Sequence, residues 1–202
     1  MDLKDGIAAV KAARQYAEAE TKGRGVPAEA TDLLSYIDAS EQFSEVKGAF
    51  VTISLYPSGD LRGCIGYPEP RFPLRDVLEM SAKAACHDPR FFDLTYEETN
   101  KCTFEVTIMT KPERIEYNSL EDLLSKIVIG RDGLILEFKG RRGLLLPQVP
   151  VEFGWNAEEF MEHLSVKAGL APTAWRDPGV VMESFSGEIF SEASPRGEVV
   201  RK

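Results

Sequence analysis

Apolar residues recur along this chain with two periods, one helical and one extended. Near the N-terminus Leu3, Ile7, Val10 and Ala17 fall close to helical spacing, which predicts a helix over residues 3–20 with Asp2 as its cap. Gly23, Gly25 and Pro27 then predict a loop over residues 21–27, because both glycines and the proline break helix. A short helix is expected around Asp32-Leu33-Leu34. Residues 49–55 are rich in β-branched and apolar side chains, and Pro57-Ser58-Gly59-Asp60 follows as a turn. With residues 61–66 this reads as a β-hairpin.

Pro73 suits the first position of a helix, where its missing N–H is not needed. Leu74, Val77 and Leu78 begin an apolar stripe that Ala82, Ala84 and Ala85 continue, and Asp88-Pro89 stops the helix after His87. Residues 101–110 alternate strictly. Cys102, Phe104, Val106 and Ile108 fall on one face and should meet the core; Thr103, Glu105, Thr107 and Met109 fall on the other. A short helix capped by Asn118 or Ser119 runs to Leu124. Gly130-Arg131-Asp132-Gly133 reads as a hairpin turn between Val128-Ile129 and Leu134-Ile135-Leu136, and a second turn falls over residues 139–143. Leu144-Leu145-Leu146 is then a buried strand or its end. Asn156 with Glu159 predicts a helix start by capping box, with Trp155 stapled to Phe160 and Gly169 as the stop. One strand is expected over residues 180–190, and frayed polar chain from Ser191 on.

Hairpins are frequent and no strand–helix–strand repeat recurs. The pattern predicts an α+β fold with a mainly antiparallel sheet flanked by helices. At 202 residues, 43% hydrophobic and 28% charged, the chain is long enough for one substantial core, in one domain with two lobes. No apolar run approaches the roughly 20 residues of a membrane span, and the N-terminus lacks the pattern of a signal peptide.

The net charge of −9 at pH 7 argues against broad binding of nucleic acid, which needs many phosphate contacts from lysine and arginine. Arg131, Lys139, Arg141 and Arg142 lie close in sequence, but a solvated loop explains them. Three cysteines, Cys64, Cys86 and Cys102, without CxxC spacing predict neither a disulfide framework nor a structural zinc site, and a cytoplasmic location is the simplest expectation. With His87 and His163 the only histidines, no metal site and no cofactor is expected.

The richest stretch is Leu61-Arg62-Gly63-Cys64-Ile65-Gly66. On a regular strand Arg62 and Cys64 would share a face, and a cation beside a thiol favours the thiolate. Gly63 and Gly66 leave room for another backbone or a ligand. Cys64 is therefore a candidate nucleophile or redox centre, against the plainer reading of a small packed residue. Arg62 is a candidate binder of phosphate or carboxylate, against a structural ion pair. No base for the thiol stands out. His87 sits at a helix end where a capping role is expected, His163 lies within a helix, and carboxylates such as Glu69, Asp88 and Glu105 are among 33 acidic residues. Asp88 suits a side-chain turn, with Arg90 tying it to a neighbouring element. Gln148 can donate and accept, so it can read a ligand or satisfy a bent backbone.

The six-residue stretch resembles the hallmark of the AMMECR family. The resemblance extends to Gly48-Ala49-Phe50-Val51-Thr52, Asp88-Pro89-Arg90-Phe91, Leu144-Leu145-Leu146-Pro147-Gln148-Val149, and Lys167-Ala168-Gly169-Leu170 followed by Trp175. It implies an antiparallel sheet with flanking helices, a second smaller lobe, and the hallmark near a groove between them. It makes Arg62, Gly63, Gly66, Arg90 and Gln148 candidate groove residues. Where many members carry His-Gly, this chain has Asp132-Gly133, so a histidine base at that position is missing here.

Two functions follow. One is a binding or adaptor component whose groove around residues 61–66 takes a small anion, a peptide or a partner protein. The resemblance implies work alongside Memo-like or radical S-adenosylmethionine proteins in a modification system. The other is an enzyme that uses Cys64 as nucleophile or redox thiol, with Arg62 binding an anion.

Overall fold

In the computed structural model of the chain, which describes residues 1–23 and 31–202, helix α1 (Leu3–Lys22) starts where the Asp2 side chain accepts a hydrogen bond from the Asp5 N–H. It stops where Gly23 takes the left-handed conformation and its N–H returns to the Ala19 and Glu20 carbonyls. The loop expected over residues 21–27 lies mostly outside the described residues. Next come α2 (Thr31–Ala39), α3 (Glu41–Ser44), and the hairpin of β1 (Ala49–Leu55) and β2 (Leu61–Tyr67). Then follow α4 (Leu74–Cys86), α5 (Tyr96–Thr99) and β3 (Cys102–Met109). The middle of the chain forms β4 (Glu113–Arg114), α6 (Leu120–Lys126), β5 (Gly133–Phe138), β6 (Arg141–Leu145), α7 (Gln148–Phe153) and α8 (Ala157–Lys167). A 3-10 turn at Pro172–Arg176 leads to β7 (Val181–Phe185), β8 (Gly187–Glu192) and β9 (Val199–Arg201).

Two units divide the chain, Met1–Met109 with Glu188–Lys202, and Thr110–Gly187. The first holds a five-stranded sheet in the order β2-β1-β3-β8-β9. Helices α1 and α4 pack on it. Ala49, Val51 and Ile53 of β1, Phe104, Val106 and Ile108 of β3, and Phe190 of β8 are buried beneath them with Val10, Ala13, Val77 and Leu78. The alternation expected for residues 101–110 holds from Cys102 to Ile108, because one face of β3 meets helices, but Met109, expected on the other face, is buried as well. The second unit holds a four-stranded sheet in the order β4-β7-β5-β6. Its core gathers Leu134, Leu136, Phe160, Leu164, Trp175 and Met182. Every strand pairing that the register defines is antiparallel. The fold is α+β.

Several expectations are corrected. Residues 180–190 form two strands, not one: β7 pairs with β4 and β5, and β8 lies in the other sheet. The tail beyond Ser191 is not frayed. Glu192 is buried, its carboxylate accepts from Arg14 Nε at 2.7 Å and from the Phe104 N–H at 3.0 Å, and β9 pairs with β8. Val128-Ile129 is not a strand. The Asp132 carboxylate accepts from the Val128 N–H at 2.8 Å and closes a turn, and β5 takes β6 as its hairpin partner through the later turn at Lys139-Gly140. Trp155 also stacks on His163, with ring centroids 3.7 Å apart. Helix α7 had no periodic signal and spans a proline, Pro150.

Candidate functional site

Strand β2 is an edge strand, paired with β1 on one side only. Its register with β1 slips between Ile53 and Ser54: Ile53 faces Gly63 and Ser54 faces Leu61. Arg62 is the extra residue, a β-bulge, and a bulge re-aims its side chain. The strict alternation that would put Arg62 and Cys64 on one face does not hold here. The Arg62 guanidinium turns to Glu98, with Nε and Nη2 donating to its two carboxylate oxygens at 3.0 and 3.1 Å. Its Nη1 and Nη2 also donate to the carbonyls of Phe92 and Asp93, at 2.9 and 3.2 Å. Its positive charge is felt by the buried thiols of Cys86 and Cys102, where it opposes part of the upward push of burial.

Cys64 points over the sheet instead. Its Sγ lies 3.3 Å from Oγ1 of Thr52, the residue directly opposite on β1. Thr52 faces Glu105 on β3 in turn, so Cys64, Thr52 and Glu105 form one row across three strands. Glu105 is paired with Lys202 Nζ at 2.6 Å. The thiol is half-buried and all three cysteines are free.

The open edge of β2 at Cys64 is closed by the turn after α4. The Cys64 N–H donates to Asp88 Oδ2 at 2.9 Å, and Arg90 Nη2 donates to the Cys64 carbonyl at 3.3 Å. Side chains thus take the place of a neighbouring strand, which protects an exposed edge. Asp88 also accepts from the Arg90 N–H at 3.0 Å and from its guanidinium at 3.0 and 2.7 Å. The side-chain turn expected for Asp88 is present, and Arg90 makes the tie to β2. Hydrogen bonds from Arg90 above all, then the N–H groups of Cys64 and Arg90, hold the Asp88 carboxyl well below the usual carboxylate range.

The two hallmark glycines serve close approach. A Cβ on Gly63 would sit 2.3 Å from the Ala85 carbonyl in the last turn of α4, and one on Gly66 would meet the Phe50 ring at 2.4 Å. Gly63 lets α4 press onto β2, and so brings Asp88 within reach of Cys64.

Between α4 and α5 the chain forms a loop held at many points. Glu98 is a hub: besides Arg62, its carboxylate accepts from the Thr95 N–H and hydroxyl at 2.8 and 3.0 Å in a capping box. Arg62 first, then the Thr95 groups, bring its carboxyl down to about 2. The Leu94 N–H donates to the Cys86 carbonyl at 2.8 Å. Phe91 lies near both guanidiniums, 6.0 Å from Arg62 and 5.7 Å from Arg90. Phe92 is 94% exposed. Arg62, Pro89, Arg90, Phe91, Phe92 and Glu98 border an open depression of about 710 Å³.

Of the residues singled out by sequence, Arg62, Gly63, Cys64 and Arg90 meet at this edge, with Gly66 further along β2. Gln148 lies in the other unit, exposed at the start of α7. Sequence reasoning missed Thr52, Phe92, Asp93 and Glu98. The Thr95-to-Glu98 capping spacing was a readable signal for the last of these. Asp132 is buried, with its carboxylate held by the Val128 N–H and by Arg131 Nε at 2.7 Å, so it fills a turn role. Among the described residues no group of three His, Cys, Asp or Glu is placed to hold a metal ion. Nor is any helix long and apolar enough to cross a membrane.

These features define an α+β protein whose edge strand carries a bulged arginine and a half-buried thiol, latched to an aromatic loop. The sequence profile of the AMMECR1 family matches residues 10–190. Protein MJ0810 of Methanocaldococcus jannaschii is 47% identical over 203 residues, covering 100% of this chain and 97% of that protein. A protein of Aquifex aeolicus is 45% identical over 162 residues, 80% of this chain and 83% of its own length. The crystal structure of protein PH0010 from Pyrococcus horikoshii superposes with a TM-score of 0.75 at 39% identity, covering 100% of this chain and 98% of that one. The chain belongs to the AMMECR1 family.

Proposed function

We propose that this chain is a binding component, and that the loop over residues 88–95 is its recognition surface. One observation carries the reading: Phe92 is almost fully exposed on a loop whose backbone is held at its own carbonyl by Arg62. An exposed aromatic on a mobile loop would lose much of its binding energy to ordering. A held one keeps it, and aromatic side chains dominate interface energetics. Arg62 then acts as the holder of the surface. To bind a free anion it would have to give up Glu98 or the two carbonyls.

The occupant of this surface is a partner protein, with the depression beside Phe91 taking part of the contact. The family resemblance points to Memo-like and radical S-adenosylmethionine proteins as the partners. The test is titration of purified partners of both kinds against the wild-type chain and Phe92→Ala, read by calorimetry. Phe92 is exposed, so its removal should leave the fold intact and weaken binding by roughly tenfold or more. Equal affinity of wild type and variant, or no binding to either partner, sinks the proposal.

A second reading has its own observation, the row of Cys64, Thr52 and Glu105 across three strands. In it Cys64 is a reactive thiol with Thr52 within hydrogen-bonding distance. The pH-dependence of Cys64 alkylation in the folded chain tests it. A thiolate titrating well below about 8.5 favours the enzyme, and a thiol that reacts only after unfolding removes it.

A further inference from the structure

We propose that His87 is a proton-operated latch on this loop: its imidazolium ties Asp93 to Glu20 of α1, and its neutral form lets one of them go. The inference rests on the reading of residues 88–95 as a recognition surface and adds a means of regulating it.

His87 caps the C-terminus of α4, with its N–H donating to the Ala84 carbonyl at 3.0 Å. Its ring lies between two carboxylates from different parts of the chain. Nδ1 is 3.0 Å from Asp93 Oδ1, and Nε2 is 3.2 Å from Glu20 Oε1. A neutral imidazole carries one N–H. It can donate to one of these carboxylates, and its other nitrogen then presents a lone pair to the second. Only the imidazolium satisfies both contacts.

Among the described residues, the charged groups around the ring are accounted for element by element. Glu20 faces it from α1 and Asp93 from the loop. On α4 itself, Lys83 is tied to Glu79 at 2.7 Å, and the adjacent Asp88 is turned to Arg90 and the Cys64 N–H. Lys22, near the end of α1, sits over the Tyr96 ring. The two carboxylates therefore dominate the field at His87. Hydrogen bonding to Asp93 first, then to Glu20, raises its pKa above the ordinary value, against an opposing effect of burial.

The mechanical consequence falls on Phe92. Asp93 is held twice, at its carbonyl by Arg62 and at its carboxylate by His87. A raised folded-state pKa means the tie is fully present below about 6.5 and is lost as pH rises through the folded value. The loop should then be firmest in mildly acidic solution and loosen on the alkaline side of that value.

The experiment is a nuclear magnetic resonance titration of the full chain from about pH 5 to about pH 9, following the histidine rings and the amides of Phe92 and Asp93. His87→Gln assigns the ring, since the chain has only two histidines. The latch predicts a His87 midpoint above about 6.5, the same midpoint in both loop amides, and a downward shift of that midpoint in Asp93→Asn. It also predicts that the loop amides no longer show that transition in His87→Gln. A midpoint at or below about 6.5, loop amides that ignore it, or a transition that survives His87→Gln overturns the proposal. Because no partner is present, the latch can fail while capture through Phe92 stands, and capture can fail while the latch titrates.

Discussion

The Asp88 carboxylate accepts a hydrogen bond from the backbone N–H of Cys64, 2.9 Å away, across the open edge of β2. That side chain is only 1% exposed and also anchors Arg90, whose guanidinium reaches the Cys64 carbonyl. One carboxylate thus joins the hallmark strand to the loop that carries Phe92.

Asp88→Ala leaves the Cys64 N–H without its partner and should cost about 1–3 kcal/mol of stability, read from urea unfolding. The acid dependence is more specific. The folded Asp88 pKa is depressed, so its contribution is present above the unfolded value of about 3.9 and is lost as pH falls toward the folded value. Asp88→Asn should lower the melting temperature by a constant amount at neutral pH, and the gap to wild type should narrow below about pH 4. A gap that widens in acid would contradict this.

Gly63→Ala should destabilise the chain through contact with main chain. Its Cβ would lie 2.3 Å from the Ala85 carbonyl, and helix backbone yields less readily than a flexible side chain. The expected loss is about 1–3 kcal/mol or more. Thermal unfolding measures it, and a variant as stable as wild type would mean that α4 is free to shift.

Thiol titration with an aromatic disulfide reagent should find one reactive cysteine per native chain. Cys86 and Cys102 are fully buried, and burial pushes the Cys86 thiol up to about 12. Cys64 is half-buried. Cys64→Ala should abolish the native reaction and leave two thiols that react on unfolding. Native labelling of Cys86 or Cys102 would show that the α1–α4 layer opens.

The buried pair of Arg14 and Glu192 should be costly to break from either side. Its side chains are 7% and 3% exposed, and Arg14 also donates to the carbonyls of Thr99 and Cys102 at 3.0 and 2.7 Å. Arg14→Ala should cost about 3–5 kcal/mol, because Glu192 stays buried without its partner, and Glu192→Ala should cost less, because Glu18 still pairs with Arg14 at 3.2 Å. The double variant Arg14→Met with Glu192→Leu should recover only part of that loss, since the carbonyls of Thr99 and Cys102 and the Phe104 N–H lose these partners as well. Denaturant midpoints of all three, compared with wild type, decide it.

Local signals were legible in the sequence. Asp2 caps α1, Asn156 and Glu159 close the capping box of α8, and Asp88-Pro89 stops α4. The alternation through β3 marked its buried face. Each of these depends on residues within a few positions of one another, where propensity and hydrogen bonding act without help from the rest of the chain. The family hallmark marked the β2 edge for the same reason, being contiguous in sequence.

What only the tertiary structure decided involves residues far apart. Ser191 onward looked like a polar tail, yet Glu192 is buried because Arg14, 178 positions away, needs a carboxylate. Residues 180–190 looked like one strand, yet they split between sheets because their partners lie in different units. Arg62 looked paired with Cys64, but the bulge turned it toward Glu98 and the carbonyls of Phe92 and Asp93. Periodicity reports which face of an element is apolar. It does not report which distant group will satisfy a given charge or open strand edge, and at this site that choice aims the arginine, holds the loop and leaves Phe92 in solvent.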